Sequence, residues 1–279
     1  MYDIIFFDLD GTLLTTDKKI SSYTVQTLLT VKNRNVELVL NTGRSLCSVK
    51  AIAQKYLVDL IRYFICNNGR VIYDAKLDQF LFLDAIPKEE ILSFAKLSKQ
   101  NVAIFYASTD GVYIETPKTE FEQSCIDEFN EEEYRNLPVS VCVVEDIEEI
   151  VSTKQIVRIY IHASEEAVFQ EYFAESPDLF HNKKVYQFYG SYCMFLGTKN
   201  DKEEGMRKIC DLLNLKSERA IAFGDEDNDS NILQAVGKGY ALCNGIESVK
   251  KIATDITEYS SDHDGVAIEL QKLMRQGLL

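Results

Sequence analysis

Ile4-Ile5-Phe6-Phe7-Asp8-Leu9-Asp10-Gly11-Thr12-Leu13 sets an apolar run directly before two carboxylates and a glycine. A short apolar run closed by glycine reads as a buried strand that delivers Asp8 and Asp10 at its C-terminal end. Downstream, Ser21-Ser22 supplies a cap for a helix that presents Val25, Leu28 and Leu29 on one face. A second apolar run, Val36-Glu37-Leu38-Val39-Leu40, ends in Asn41-Thr42-Gly43-Arg44-Ser45 and leads into another helical stretch. Strand, helix, strand, helix is the pattern of a parallel α/β sheet. The same unit returns late in the chain. There Ala220-Ile221-Ala222-Phe223 runs into Gly224-Asp225-Glu226-Asp227-Asn228-Asp229, followed by a helix around 231–236.

Between these halves the sequence changes character. From 84 to 188, strands at 102–107, 112–115, 139–144 and 155–161 alternate with helices near 88–99, 118–133 and 165–175. None of these strands ends in Gly–Asp punctuation. The stretch holds nine basic and 21 acidic side chains, a net −12, whereas the rest of the chain nets −2. A compositional break flanked by two halves of one pattern predicts a discontinuous α/β domain over 1–83 and 189–279, with a second α/β domain inserted over 84–188.

The composition is that of a globular protein: 279 residues, 46% hydrophobic and 27% charged. With 30 basic and 44 acidic residues the net charge is −14. That argues against nucleic acid and anionic lipid as partners, since both recruit Lys and Arg. No apolar run approaches the roughly 18 residues a membrane span needs. Met1-Tyr2-Asp3 offers no basic region of a secretory signal. The seven cysteines, Cys47, Cys66, Cys125, Cys142, Cys193, Cys210 and Cys243, are scattered without a C-x-x-C pair. They are read as free thiols of a reducing, cytoplasmic compartment, with Cys66 and Cys142 acting as small hydrophobes inside apolar runs.

Strand C-termini in an open α/β sheet converge on one crevice, so Asp8, Asp10, Thr42, Asp225 and Asp229 can meet although they are far apart in sequence. Asp-x-Asp-Gly by itself is equally a turn. Carboxylates gathered without Cys or His are hard oxygen ligands suited to Mg2+, and without a cation they would repel one another. The run 225–229 is not an EF-hand, because its sixth position is Ser230 and its twelfth Val236.

These segments resemble the haloacid dehalogenase (HAD) superfamily. Asp8-Leu9-Asp10-Gly11-Thr12-Leu13 is similar to its first motif, Thr42-Gly43-Arg44 to its second, and Gly224-Asp225 through Asn228-Asp229 to its fourth. The position of the insert, Asn67-Asn68-Gly69 with Val71-Ile72-Tyr73-Asp74, and the closing Asp264-Gly265-Val266-Ala267 resemble the Cof-type branch, class IIB. The resemblance covers 1–83 and 189–279, and the insert matches in length and pattern. It implies a Rossmann-like parallel sheet with an inserted α/β cap, which supplies leaving-group recognition and excludes water on closure.

The implied activity is Mg2+-dependent hydrolysis of small phosphate monoesters, a sugar phosphate or a cofactor-related monophosphate. Asp8 would be the nucleophile that forms an aspartyl-phosphate. Asp10 would be the general acid and then the base, with a pKa raised by its carboxylate neighbours. Asp8, the backbone carbonyl of Asp10, and Asp225 would ligate Mg2+, with Asp229 as a further ligand or the holder of a metal-bound water. Thr42 and the amides near Gly43 would bind phosphate. The family's third motif is a lysine at a helix start, here Lys199 or Lys202. Counting back along Met206, Ile209, Leu212 and Leu213 favours Lys202, although Glu203 follows where the branch usually has Gly. Asn228 contacts the phosphate, orients Asp225 or caps a helix; Arg44 pairs with a substrate phosphate or is a surface arginine. His162, His181 and His263 fall in no catalytic pairing.

Two other readings fit parts of this pattern. A phosphomutase shares the aspartyl-phosphate step, and a noncatalytic phospho-receiver or ligand-binding module shares the carboxylates, threonine and lysine. A receiver has no use for Asp10. A nucleotide-binding enzyme is disfavoured, because neither G-x-G-x-x-G nor G-x-x-x-x-G-K-[ST] occurs. The insert's charge predicts small monophosphates over polyanions, with Arg158 and Lys118 as possible contacts. The expected partner is a small phosphorylated metabolite; the sequence leaves the oligomeric state open.

Overall fold

The computed structural model describes residues 1–96, 101–133, 139–175, 185–188, 191–196 and 201–279. Its elements follow the chain as β1 (Ile4–Phe7), α1 (Ser22–Lys32), β2 (Glu37–Asn41), α2 (Leu46–Tyr56), β3 (Tyr63–Cys66), β4 (Val71–Asp74) and β5 (Gln79–Leu83). There follow α3 (Lys88–Lys96), β6 (Val102–Ser108), β7 (Val112–Glu115), α4 (Glu120–Glu133), β8 (Cys142–Val144), α5 (Ile147–Thr153), β9 (Ile156–Ala163) and α6 (Glu166–Glu175). The remainder is β10 (Val185–Phe188), β11 (Ser191–Leu196), α7 (Lys202–Leu213), β12 (Ala220–Gly224), α8 (Ser230–Ala235), β13 (Lys238–Ala241), α9 (Glu247–Ile252), β14 (Asp255–Ile256) and α10 (Gly265–Arg275). No helix among the described residues is long and apolar enough to cross a membrane.

The chain divides into two compact units. The first comprises Met1–Arg44, Val49–Phe82 and Asn200–Leu279; the second comprises Ser45–Ser48 and Leu83–Lys199. The second crossing therefore lies beyond the 188/189 boundary read from composition. The reason is β11, which pairs antiparallel with β9, Met194 opposite Ile161, and so belongs to the second unit's sheet.

The first unit's sheet runs β14-β13-β12-β1-β2-β3-β4-β5. Every pair from β14 to β3 is parallel, and the hairpin β3–β4 is antiparallel. β1 lies at the centre, with Ile4 opposite both Ala220 and Glu37. Its four residues are all buried, as expected of a parallel strand covered on both faces. Phe7, Phe223 and Tyr240 stack across neighbouring strands, with ring centroids 5.7 and 4.9 Å apart. Ser21 caps α1 by accepting the Thr24 amide, but the buried face is Thr24, Thr27, Leu28 and Val31. Leu29 is exposed and Val25 half-buried, so the expected face is rotated. On α7 the buried face is Lys202, Gly205, Met206, Ile209 and Cys210, and Leu212 is exposed.

The second unit's sheet runs β10-β11-β9-β6-β7-β8. Both faces of its central strands are covered. Val102, Ile104, Tyr106, Ile159 and Ile161 pack with Ile91 and Phe94 of α3 and Ile147 and Val151 of α5. The alternate residues Ala103, Phe105, Ala107 and Tyr160 pack with Cys125, Ile126 and Phe129 of α4. Helix α5 has no counterpart among the helices read from the sequence. Cys142, expected to be buried, is exposed on β8 at the sheet edge, while Cys66 is buried as expected.

Candidate active site

Because β12, β1 and β2 are adjacent and parallel, their C-terminal ends lie side by side. Asp8 follows β1 and Thr42 follows β2. Asp225 follows β12, and Asp229 closes a 3-10 turn over Asp227–Asp229. One carboxylate oxygen from each of Asp8, Asp225 and Asp229 lies within 4.8 Å of the others, and all three residues are buried. Close approach requires glycine at two points: a Cβ at Gly11 would come 2.1 Å from Asp225 Oδ2, and one at Gly224 would come 2.3 Å from Asp229 Cγ.

Lys202, at the first turn of α7, donates to Asp8 Oδ1 and to Asp229 Oδ1, each at 2.7 Å. Asp229 Oδ2 accepts the backbone N–H groups of Asp225 and Glu226 at 3.1 and 3.2 Å, so Asp229 is held on both oxygens. Thr12 Oγ1 donates to Asp225 Oδ1 at 2.8 Å. Asn41 fixes the start of α7 by donating to the Lys202 carbonyl at 2.8 Å. Lys199, the rival for the lysine position, lies outside the described residues, as does His181.

Three carboxylates thus gather beside one ammonium, which bonds two of them, Asp8 and Asp229. Burial pushes Asp8 up to about 7, with Lys202 opposing and Asp229 and Asp10 reinforcing. Burial and the nearby charges of Asp8 and Asp229 push Asp225 up to about 8. Burial alone would lower Lys202, but Asp229 and Asp8 more than reverse that and raise it. An all-oxygen donor set with excess negative charge is chemically fitted to a hard divalent cation.

Asp10 stands apart from this group. Arg44 Nε donates to its Oδ2 at 2.6 Å and Arg44 Nη2 to its Oδ1 at 2.9 Å, while Lys18 Nζ donates to Oδ1 at 2.6 Å. Burial alone would raise the Asp10 carboxyl, but the Arg44 guanidinium and then Lys18 outweigh it and hold it below the usual carboxylate range. This corrects the expectation of a raised pKa: the nearest charges are cations. Arg44 is correspondingly buried rather than a surface arginine.

Around the end of β2, Thr42 Oγ1 accepts the Arg44 amide at 3.2 Å, and the Thr42 carbonyl accepts the Asn68 amide at 3.1 Å. Asn228 donates to Asn68 Oδ1 at 3.1 Å, and a Cβ on Gly43 would lie 3.1 Å from that same oxygen. Asn228 is therefore tied across to the β3–β4 turn and does not cap α8. Thr12, Lys18, Asn41 and Asn68 are site neighbours to which sequence reasoning gave no role. Thr12 and Asn68 sit inside the motifs quoted above, and nothing local marks Lys18. Asp264, by contrast, is structural: in the left-handed conformation, φ 58°, it accepts from Ser21 and from Thr24 Oγ1, joining the starts of α1 and α10. His263 meets Ser260 Oγ at 2.9 Å, and His162 is buried in the second unit.

The haloacid dehalogenase-like hydrolase family matches residues 5–270. The 5-amino-6-(5-phospho-D-ribitylamino)uracil phosphatase of Bacillus subtilis is 29% identical over 269 residues, which span 95% of this chain and 94% of that protein. A haloacid dehalogenase-like hydrolase from Bacteroides thetaiotaomicron superposes with a TM-score of 0.84 at 22% identity, covering 98% of this chain and 100% of that one. A HAD subclass IIB sugar phosphatase superposes with a TM-score of 0.75 at 21% identity, covering 99% and 100%. The chain belongs to the haloacid dehalogenase-like hydrolase family, as a phosphatase-type hydrolase with the fold of its subclass IIB, Cof-type members.

Proposed function

We propose that the protein is a Mg2+-dependent phosphatase of small phosphate monoesters, a sugar phosphate or a cofactor-related monophosphate, acting through an aspartyl-phosphate on Asp8. The observation that carries this reading is the set of three buried carboxylates, Asp8, Asp225 and Asp229, the first and last of them paired with Lys202. Asp8, Asp225, Asp229 and the backbone carbonyl of Asp10 would hold the cation. When bound, Mg2+ neutralises phosphoryl charge so that a carboxylate can approach phosphorus.

Lys202 engages Oδ1 of Asp8, which leaves Oδ2 to attack. As the Asp8–phosphorus bond forms, the bond from phosphorus to the ester oxygen breaks, and that oxygen keeps the electron pair and takes a proton from Asp10. Water then attacks phosphorus, gives a proton to Asp10 and frees Asp8, with inorganic phosphate as product. Thr42, Gly43, Arg44, Asn228 and Lys202 form the phosphate-binding set, in which Lys202 contributes a point charge. In the free enzyme Arg44 and Lys18 keep Asp10 ionised. An arriving phosphate dianion sets like charge beside it and raises its proton affinity, as the first step requires. The relatives named for a phosphorylated ribitylaminouracil and for sugar phosphates support this substrate class. Thiols without disulfides among the described cysteines fit a cytoplasmic enzyme.

The test is a panel of small phosphate monoesters with Mg2+, set against EDTA and Asp8→Asn. Phosphate release that needs the metal and vanishes in the variant is expected. No release from any ester by the Mg2+-loaded, unsubstituted protein overturns the reading.

A further inference from the structure

We infer that Lys18 is a positioning residue for Asp10, fixing which of its carboxylate oxygens exchanges a proton with the leaving group; this rests on the reading of Asp10 as the proton-transfer group. Lys18 lies in the left-handed region at φ 57°, uncommon for a lysine. Its amide donates to the Thr15 carbonyl at 2.8 Å and the Thr15 amide donates to the Lys19 carbonyl at 2.9 Å, closing a turn. That turn is anchored from outside. Asp262 accepts both the amide and the hydroxyl of Thr16 at 2.7 Å, and Asn244 donates to the Gly11 carbonyl at 2.8 Å. The loop leaving Asp10 is thus pinned so that the Lys18 side chain returns onto the carboxylate eight residues earlier.

Arg44 alone grips Asp10 in a fork, one bond to each oxygen, which leaves the two oxygens alike. Lys18 makes them unequal: among the described residues Oδ1 accepts from both Lys18 and Arg44, while Oδ2 accepts from Arg44 only. Oδ2 keeps the spare lone pair and is the oxygen that carries the proton. In the first step the phosphorus–ester oxygen bond breaks, its electron pair stays on that oxygen, and the proton moves to it from Oδ2; water returns a proton to Oδ2 in the second. The Lys18 and Arg44 side chains are 16% and 4% exposed and that of Asp10 37%, so the carboxylate is the open member of the trio.

The experiment uses the Mg2+-loaded full chain and compares kcat/KM for two esters in Lys18→Met and Lys18→Arg. An alkyl phosphate needs a proton on its leaving oxygen, whereas 4-nitrophenyl phosphate does not, and kcat/KM reports only the steps up to departure of that oxygen. Lys18→Met is expected to lower kcat/KM for the alkyl ester by about tenfold more than for the aryl ester. Lys18→Arg is expected to restore the unsubstituted ratio. Lys18→Gln replaces Lys18→Met if the latter does not fold. Equal losses on both esters, no loss, or a Lys18→Arg ratio as low as that of Lys18→Met overturns the assignment. Failure of the functional reading shows differently, as absence of turnover by the unsubstituted enzyme on either ester, and takes the assignment down with it.

Discussion

In the first unit β12, β1 and β2 run the same way, so Asp225, Asp8 and Thr42 all leave their strands at one edge, where buried Lys202 joins them. In the second unit β9 runs antiparallel to both β6 and β11, so the ends of these central strands fall on opposite edges, and the pairing turns parallel at β7–β8. Its two buried faces are filled with aliphatic and aromatic side chains, among which His162 packs at 5.3 Å from the ring of Phe105. Parallel pairing concentrates strand ends, and strand ends are where the backbone can turn and charged side chains can gather. Antiparallel pairing disperses them, and the buried polar residues described in the second unit's sheet, Ser108, Arg158 and His162, lie along β6 and β9 among apolar neighbours. The charged site is therefore a product of topology as much as of composition, since the second unit carries −11 of the net −14, yet among the described residues it buries none of its Asp or Glu.

The contrast can be broken most sharply at Asp8. If the first unit's buried charges are there for chemistry, Asp8→Asn lowers kcat by about three orders of magnitude or more, the scale of losing a covalent nucleophile. Steady-state assays with Mg2+ and an alkyl phosphate measure it. Lys202→Met removes the countercharge of two buried carboxylates. In EDTA the variant should unfold in urea with a stability lower by about 3–5 kcal/mol, the cost of stranding a buried ion pair. A loss below 1 kcal/mol, measured the same way, would mean the site is wet and the contrast with the second unit overstated.

The two units should also respond to pH with opposite sign. Asp8 and Asp225, pushed up to about 7 and 8, bind protons more tightly folded than unfolded. Their contribution to metal-free stability is full below pH ~4 and is lost as pH rises toward 8. Burial pushes His162 down to about 4, so its contribution is full above pH ~6.5 and is lost as pH falls toward 4, on the order of 3 kcal/mol. Urea unfolding in EDTA from pH 4 to 8 checks both, with Asp225→Asn flattening the first limb and His162→Phe the second. The smallest effect sharpens the packing: Leu28→Ala on α1 should cost about 2–5 kcal/mol, and Leu29→Ala less than about 0.5. Equal costs would restore the face read from the sequence.

What was legible in the sequence was whatever depends on local runs. Four apolar residues before Asp8, and similar runs before Thr42 and Asp225, fix strand, direction and strand end together. A parallel sheet then brings those ends together without any further information. Less legible was whatever depends on approach from elsewhere. The cations on Asp10 come from a left-handed turn and from the far side of β2, so the sign of its shift could not be read from its carboxylate neighbours. The buried face of α1 includes two threonines, which a hydrophobic pattern passes over. The boundary at 188/189 falls short because β11, Ser191–Leu196, lies beyond it in sequence, and pairing with a strand far back in the chain, β9, is what assigns it to the second unit.

The central place of β1 carries a consequence for synthesis. On one side its neighbour is β2, made almost at once; on the other it is β12, whose Ala220 pairs with Ile4 only after the whole second unit has left the ribosome. A nascent chain halted near residue 200 would hold every strand of the second sheet, yet β1 would still have an unpaired, wholly apolar edge. During that interval the strand that carries Asp8 is the segment most in need of protection from other chains, and contacts so distant in sequence make its closure slow.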